Sequence, residues 1–196
     1  VSNFRLLNPD CVFIHIPKTG GTSIRRGVWG SQYVGPMYGE IPAEWDGLWR
    51  FAFVRHPLER LMSAWDMACR KQVYGPPVAQ TIEAFLAVVM DDDIPHDYKS
   101  PMRTEGERIR HHTIPQTHPF NCLEAADFVG RFEHFQRDYT VVAKRMGITS
   151  RDLPHMYPAT QPRQWSDVLS GECLQHCVDY YRRDFEQLGY ELPANH

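Results

Sequence analysis

The chain has 196 residues, of which 42% are apolar, enough for one domain of ordinary size with a real core. No apolar run approaches the roughly 18 residues needed to span a bilayer. A net charge of −3 argues against a general nucleic-acid binder, which would be basic.

The first ten residues, VSNFRLLNPD, hold no apolar core of a signal peptide, and the missing initiator Met leaves room for residues upstream. Cys11 to Ile24, CVFIHIPKTGGTSI, is the most informative stretch. It reads as a short apolar strand (Val12, Phe13, Ile14, Ile16) broken at Pro17, then the loop Lys18-Thr19-Gly20-Gly21-Thr22-Ser23, then a helix from about Thr22 to Trp29. Adjacent glycines allow close backbone approach, and N–H groups at a helix start favour an anion. Lys18 adds a positive charge, and Thr22 and Ser23 add hydroxyls. The loop reads as a cradle for phosphate or sulfate, with an ordinary capped turn as the plainer alternative. It is not the ATP-type loop GxxxxGK[ST], because Lys18 precedes the glycines.

Gly30 to Gly47, rich in Gly, Pro and aromatics, reads as a structured loop. A second strand is expected over Leu48–Val54, ending at Arg55-His56-Pro57, with Pro57 suited to a helix's first turn. That helix, Leu58 to about Gln72, puts Leu61, Met62, Trp65 and Cys69 on one stripe, and another is expected over Thr81–Met90. Asp91 to Pro119 is the least regular part, of a length that is usually functional or partly disordered. A third strand at Phe128–Phe132, a helix over Phe135–Met146, a Pro-punctuated loop at Leu153–Pro162 and a closing helix over Glu172–Leu188 complete the pattern. Strands alternating with helices predict an α/β fold with a mostly parallel central sheet, whose ligands bind at the carboxyl ends of the strands. Lys18 and Arg55 both fall there.

Arg55 can fork onto a phosphate, with Ser63 two helical turns later completing the pocket; an ion pair with Glu59 is its structural alternative. Trp29, Trp45, Trp49 and Trp65 are core by default, and Trp45 is the one offered as a platform for a sugar ring. Five cysteines without a disulfide pattern, and no N-x-[ST] sequon, favour a reducing, cytoplasmic setting; the Golgi lumen follows if an N-terminal anchor has been removed. His111, His112 and His118 match no metal signature, so no metal is expected.

Taken together, HIPKTGGTS and FVRHPLERLMSAW resemble the 5′-phosphosulfate and 3′-phosphate motifs of sulfotransferases, closest to the carbohydrate (glycosaminoglycan-type) branch. His112-Thr113-Ile114-Pro115-Gln116 is similar to that branch's HWxPQ stretch without its Trp. Gly130-Arg131-Phe132-Glu133 with Asp138, and Tyr181 to Tyr190 (YRRDFEQLGY), are weaker echoes. The resemblance implies a single domain over residues 1–196 with a three-layer, P-loop-like α/β fold, its sheet flanked by helices. It implies 3′-phosphoadenosine 5′-phosphosulfate (PAPS) as sulfuryl donor and adenosine 3′,5′-bisphosphate as product. Lys18, Thr19, Gly20, Gly21, Thr22 and Ser23 would hold the 5′ end, and Arg55 and Ser63 the 3′-phosphate. The acceptor would be a hydroxyl, on a glycan or glycoconjugate. Glu40, His112 and His15 are the candidates for the general base, since the segment where some relatives carry a His has none here. A P-loop kinase or NTPase, and a non-catalytic nucleotide-binding module, are the competing readings.

Overall fold

The computed structural model describes residues 3–30, 32–70, 80–97, 104–149 and 163–194. The chain divides into two compact units, one of Val1–Arg55 with His118–Pro158, the other of His56–Thr117 with Ala159–His196.

The first unit is built on a five-stranded sheet in the order β3-β1-β2-β4-β5, where β1 is Asn3–Leu6, β2 Cys11–Ile14, β3 Tyr33–Met37, β4 Arg50–Val54 and β5 Phe128–Arg131. β2 pairs parallel with β4, and β4 with β5, while β1 pairs antiparallel with both β2 and β3. The sheet is therefore mixed, not mostly parallel as the alternation of elements predicts. The reason is local. A four-residue strand in the opening segment and a Gly-Pro-bearing strand inside the Gly30–Gly47 loop carry weak strand signals, and both form by pairing across the chain.

Alternation puts Phe4, Leu6, Cys11, Phe13, Phe51 and Phe53 on one face of this sheet. Against that face pack Ile24 of helix α1 (Gly21–Gly27) and Tyr139, Val142 and Ala143 of a later helix, Phe135–Met146. That later helix starts where predicted because Asp138 accepts the Arg131 N–H (2.8 Å), closing the turn out of β5, and also pairs with the Arg137 guanidinium (2.7 Å). Burial pushes the Asp138 carboxyl up, but these bonds outweigh it and leave its pKa below the usual aspartate value.

The second unit is helical. α2 (Pro57–Arg70) begins at Pro57, α3 (Ile82–Val89) is capped by Thr81, and α4 (Glu105–Thr113) lies within the stretch read as irregular. Thr104 and Glu107 form a reciprocal capping box at its start, the signal by which T-x-x-E marks a helix. The Phe135–Met146 helix is α5 in chain order. The single closing helix of the sequence reading is two, α6 (Gly171–Tyr180) and α7 (Arg182–Leu188), parted at Tyr181. Leu61, Met62 and Trp65 of α2, Phe85 and Val89 of α3, Ile109 of α4, and Val178, Tyr181 and Phe185 form this unit's core. The end of the α2 expectation at Gln72 and the loop expected at 153–162 lie outside the described residues.

Among the described residues no helix is long and apolar enough to cross a membrane. All five cysteines, Cys11, Cys69, Cys122, Cys173 and Cys177, are free. Trp45 is buried at 2% exposure in a 3-10 turn, so it is core and offers no platform for a sugar ring.

Candidate active site

β2 and β4 are adjacent and parallel, so the Lys18 loop and Arg55 leave the same edge of the first unit's sheet. Phe132, just past the end of β5, lies at that edge as well. The Arg55 guanidinium sits 4.5 Å over the Phe132 ring, Phe132 lies 5.4 Å from Phe135, and a Cβ on Gly20 would meet the Phe135 ring at 2.5 Å. Two aromatic rings thus connect the glycine loop to Arg55.

The loop is tightly determined. Lys18 (φ 70°) and Gly20 (φ 86°) both adopt left-handed backbone, which is uncommon for a lysine and costs it energy that surrounding contacts must offset. Thr19 is fully buried and donates its hydroxyl to the Ile16 carbonyl (2.8 Å), so that hydroxyl closes the loop and does not face a ligand. The Ser23 N–H donates to Gly20 O (2.9 Å) as α1 begins. Gly21 and Thr22 open the helix, where backbone N–H groups lack intrahelical acceptors, and the first turn of α1 carries no acidic residue. A cation, two helix-start N–H groups and the half-buried Thr22 hydroxyl make a donor set suited to an anion, with Ser23 buried beside them.

His15 packs directly under this loop. A Cβ on Gly21 would fall onto its Cδ2 and Nε2 atoms, and its ring lies 5.5 Å from Phe13 and 6.0 Å from Phe4. Burial, reinforced by the charges of Arg25 and Lys18, lowers its pKa to about 3. Such an imidazole is neutral and a weak base at neutral pH, so His15 supports the loop. Gly21→Ala is accordingly expected to destabilise the protein. A gain of at most about 1 kcal/mol in helix propensity is opposed by overpacking of about 1–3 kcal/mol. A lowered melting temperature by calorimetry checks it; an unchanged one would show that the ring yields freely.

Glu40 follows β3, which runs in the same direction as β2 two strand spacings away, roughly 10 Å. Its side chain is exposed and its carbonyl accepts from Asn3 Nδ2 (2.8 Å). Ser63 and His112 belong to the second unit, on α2 and α4. His112 is half-buried, and its Nδ1 lies 2.8 Å from the Arg108 carbonyl. A carbonyl only accepts, so in the neutral ring Nδ1 carries the proton and Nε2 the basic lone pair.

Three buried side chains that the sequence reading left without a role surround the end of α4. Arg60, 1% exposed, donates through Nη1 to His112 O (3.0 Å) and through Nη2 to Thr113 O (3.2 Å) and Ile114 O (2.5 Å). Tyr181 Oη donates to Thr113 O (2.6 Å); burial holds this phenol well above its usual pKa, so it stays a donor. Asp184, fully buried, accepts from Gln116 N (2.8 Å), Gln116 Nε2 (3.3 Å), Thr117 N (2.9 Å) and Thr117 Oγ1 (2.9 Å). The sequence signal for two of them is a charge on an apolar stripe: Arg60 with Ala64 and Ala68, Asp184 with Tyr181 and Leu188. Among the described residues no group of three or more His, Cys, Asp or Glu is arranged to hold a metal.

This architecture, a mixed α/β sheet with a glycine loop and an arginine at one edge, agrees with the comparisons. The chain belongs to the sulfotransferase family, whose profile matches residues 40–191. That match covers Arg55, Ser63, His112 and Asp184 but begins after the Lys18 loop. Among curated proteins, carbohydrate sulfotransferase 14 of Homo sapiens is 29% identical over 166 residues, covering 74% of this chain and 43% of that protein. Its Mus musculus counterpart is 28% identical over the same length and shares. The chain thus spans less than half the length of these relatives. No solved structure gives a significant match.

Proposed function

We propose that the chain is a single PAPS-dependent sulfotransferase domain of P-loop-like architecture, transferring a sulfuryl group to a hydroxyl of a carbohydrate acceptor. The observation that carries this reading is the shared sheet edge of the Lys18 loop and Arg55, connected through Phe132 and Phe135. The names of the relatives support the carbohydrate class. They lend the cytoplasmic expectation no support, and free thiols suit either compartment poorly as evidence.

The donor set fits the group. Lys18, the N–H groups of Gly20, Gly21 and Thr22, and the hydroxyls of Thr22 and Ser23 would hold the 5′-phosphosulfate; Arg55 and Ser63 would hold the 3′-phosphate. When bound, PAPS supplies an activated sulfuryl group on a phosphate leaving group. Lys18 then stabilises the negative charge that grows as the leaving group departs, as in phosphoryl transfer. His112, its proton fixed on Nδ1, takes the acceptor's proton at Nε2. Glu40 is the second reading for the base, favoured by its place at the same sheet edge as Lys18. Comparing turnover of His112→Gln with Glu40→Gln separates them: the base is the one whose loss removes activity while donor binding persists.

Titration calorimetry with adenosine 3′,5′-bisphosphate tests the donor site. Arg55→Ala should weaken binding by roughly tenfold to a hundredfold, the worth of a charge-assisted hydrogen bond of about 1.5–3 kcal/mol. Magnesium-dependent ATP binding with no affinity for the bisphosphate would instead favour the kinase reading, and product binding without transfer to any acceptor the non-catalytic one.

A further inference from the structure

The end of α4 is held in an unusual way. Backbone carbonyls at a helix C-terminus normally face water or a glycine cap. Here the carbonyls of His112, Thr113 and Ile114 are gathered by one buried guanidinium, Arg60, and Thr113 O takes the Tyr181 hydroxyl as well. Directly beyond them, the N–H groups of Gln116 and Thr117 and both their side chains converge on one buried carboxylate, Asp184. A positive group grips the carbonyl side of the segment and a negative group its N–H side. Two stretches distant in sequence from α4 supply the grips, α2 and the Tyr181 junction with the adjoining α7.

A loop needs no such bracing to cover a core, and two buried charges are a costly way to achieve it. The bracing has one further consequence. His112 is the first residue gripped, and its ring is already fixed at Nδ1 by Arg108 O. Its carbonyl and its ring are therefore held by separate bonds.

We propose that Arg60, Tyr181 and Asp184 are positioning residues, which fix the backbone of residues 112–117 and through it the direction of His112 Nε2. The inference rests on His112 as the general base, and it extends that role to three residues that touch neither donor nor acceptor.

The test uses Asp184→Asn and Tyr181→Phe, the second removing one hydroxyl with little change of shape, so that a folded variant is in hand even if the first is lost. Turnover, the KM for PAPS and adenosine 3′,5′-bisphosphate affinity are measured together, alongside nitrogen-15 NMR of the His112 ring. In folded variants kcat should fall by roughly tenfold to a hundredfold, the scale of an ångström-sized misplacement, while donor KM and product affinity stay within about twofold. The bond from His112 Nδ1 to Arg108 O lies within α4 and should survive, so the ring keeps its Nδ1–H form while its nitrogen-15 shifts move. Asp184→Glu, which keeps the carboxylate, should restore part of kcat. Wild-type kcat in both folded variants overturns the proposal, as does an equal fall in kcat and donor affinity, the mark of a merely structural role. Failure of the base reading looks different: His112→Gln would then retain full turnover, while Asp184→Asn still disturbed the His112 signal.

Discussion

Lys18→Ala is expected to reduce sulfuryl transfer at least a hundredfold while the protein stays folded. Lys18 is half-buried, and it occupies the one position of the loop that combines a full positive charge with a left-handed backbone, φ 70°. Losing a donor aimed at developing charge costs about 3 kcal/mol, a factor of a hundred or more. The stability side runs the other way. Alanine pays about the same left-handed penalty as lysine, since both carry a Cβ, so the substitution removes charge without adding backbone strain. Turnover with PAPS and the melting temperature, measured on one sample, separate the two effects. Affinity for adenosine 3′,5′-bisphosphate should fall less than turnover, because the stabilised charge appears only as the leaving group departs. A Lys18→Ala protein with wild-type turnover would sink the assignment of this loop.

How much of this was readable beforehand depends on how local each feature is. The Lys18 loop is contiguous, so its glycines, cation and hydroxyls announce themselves, and the strand before it (Cys11–Ile14) and the one at Arg50–Val54 are apolar runs. The mixed character of the sheet was hidden because β1 and β3 are short and β3 contains Gly35-Pro36, a poor strand sequence rescued by pairing with β1. α4 was hidden by its composition, since Arg108, Arg110, His111 and His112 mask the helical period that its capping box announces. The break at Tyr181 has no such marker; the residue leaves the helical pattern to bond Thr113 O, 68 positions earlier. His15 and Thr19 lie inside the legible motif, yet their chemistry is directed inward: one ring supports Gly21, and one hydroxyl closes the loop on Ile16. A motif names the residues near a ligand. It does not say which of them face it.

Asp184→Ala is expected to cost about 3–5 kcal/mol of folding stability, the largest effect of any single change outside the donor loop. The carboxylate is fully buried and receives four hydrogen bonds from Gln116 and Thr117, so its removal strands two backbone N–H groups, an amide and a hydroxyl away from water. It also frees the N–H side of a segment whose carbonyl side Arg60 holds. A domain of ordinary stability has only about 5–15 kcal/mol in total, so the variant should unfold at markedly lower urea with its slope unchanged. Asp184→Asn keeps one oxygen acceptor and should lose less. Arg60 and Asp184 grip one short segment, so their substitutions should be non-additive in a double-mutant cycle: once Asp184 is gone and the segment is loosened, removing Arg60 costs less than it does in the intact protein. A loss below about 1 kcal/mol for Asp184→Ala, or strict additivity with Arg60→Met, would mean that water reaches the segment and that the two charges do not brace it.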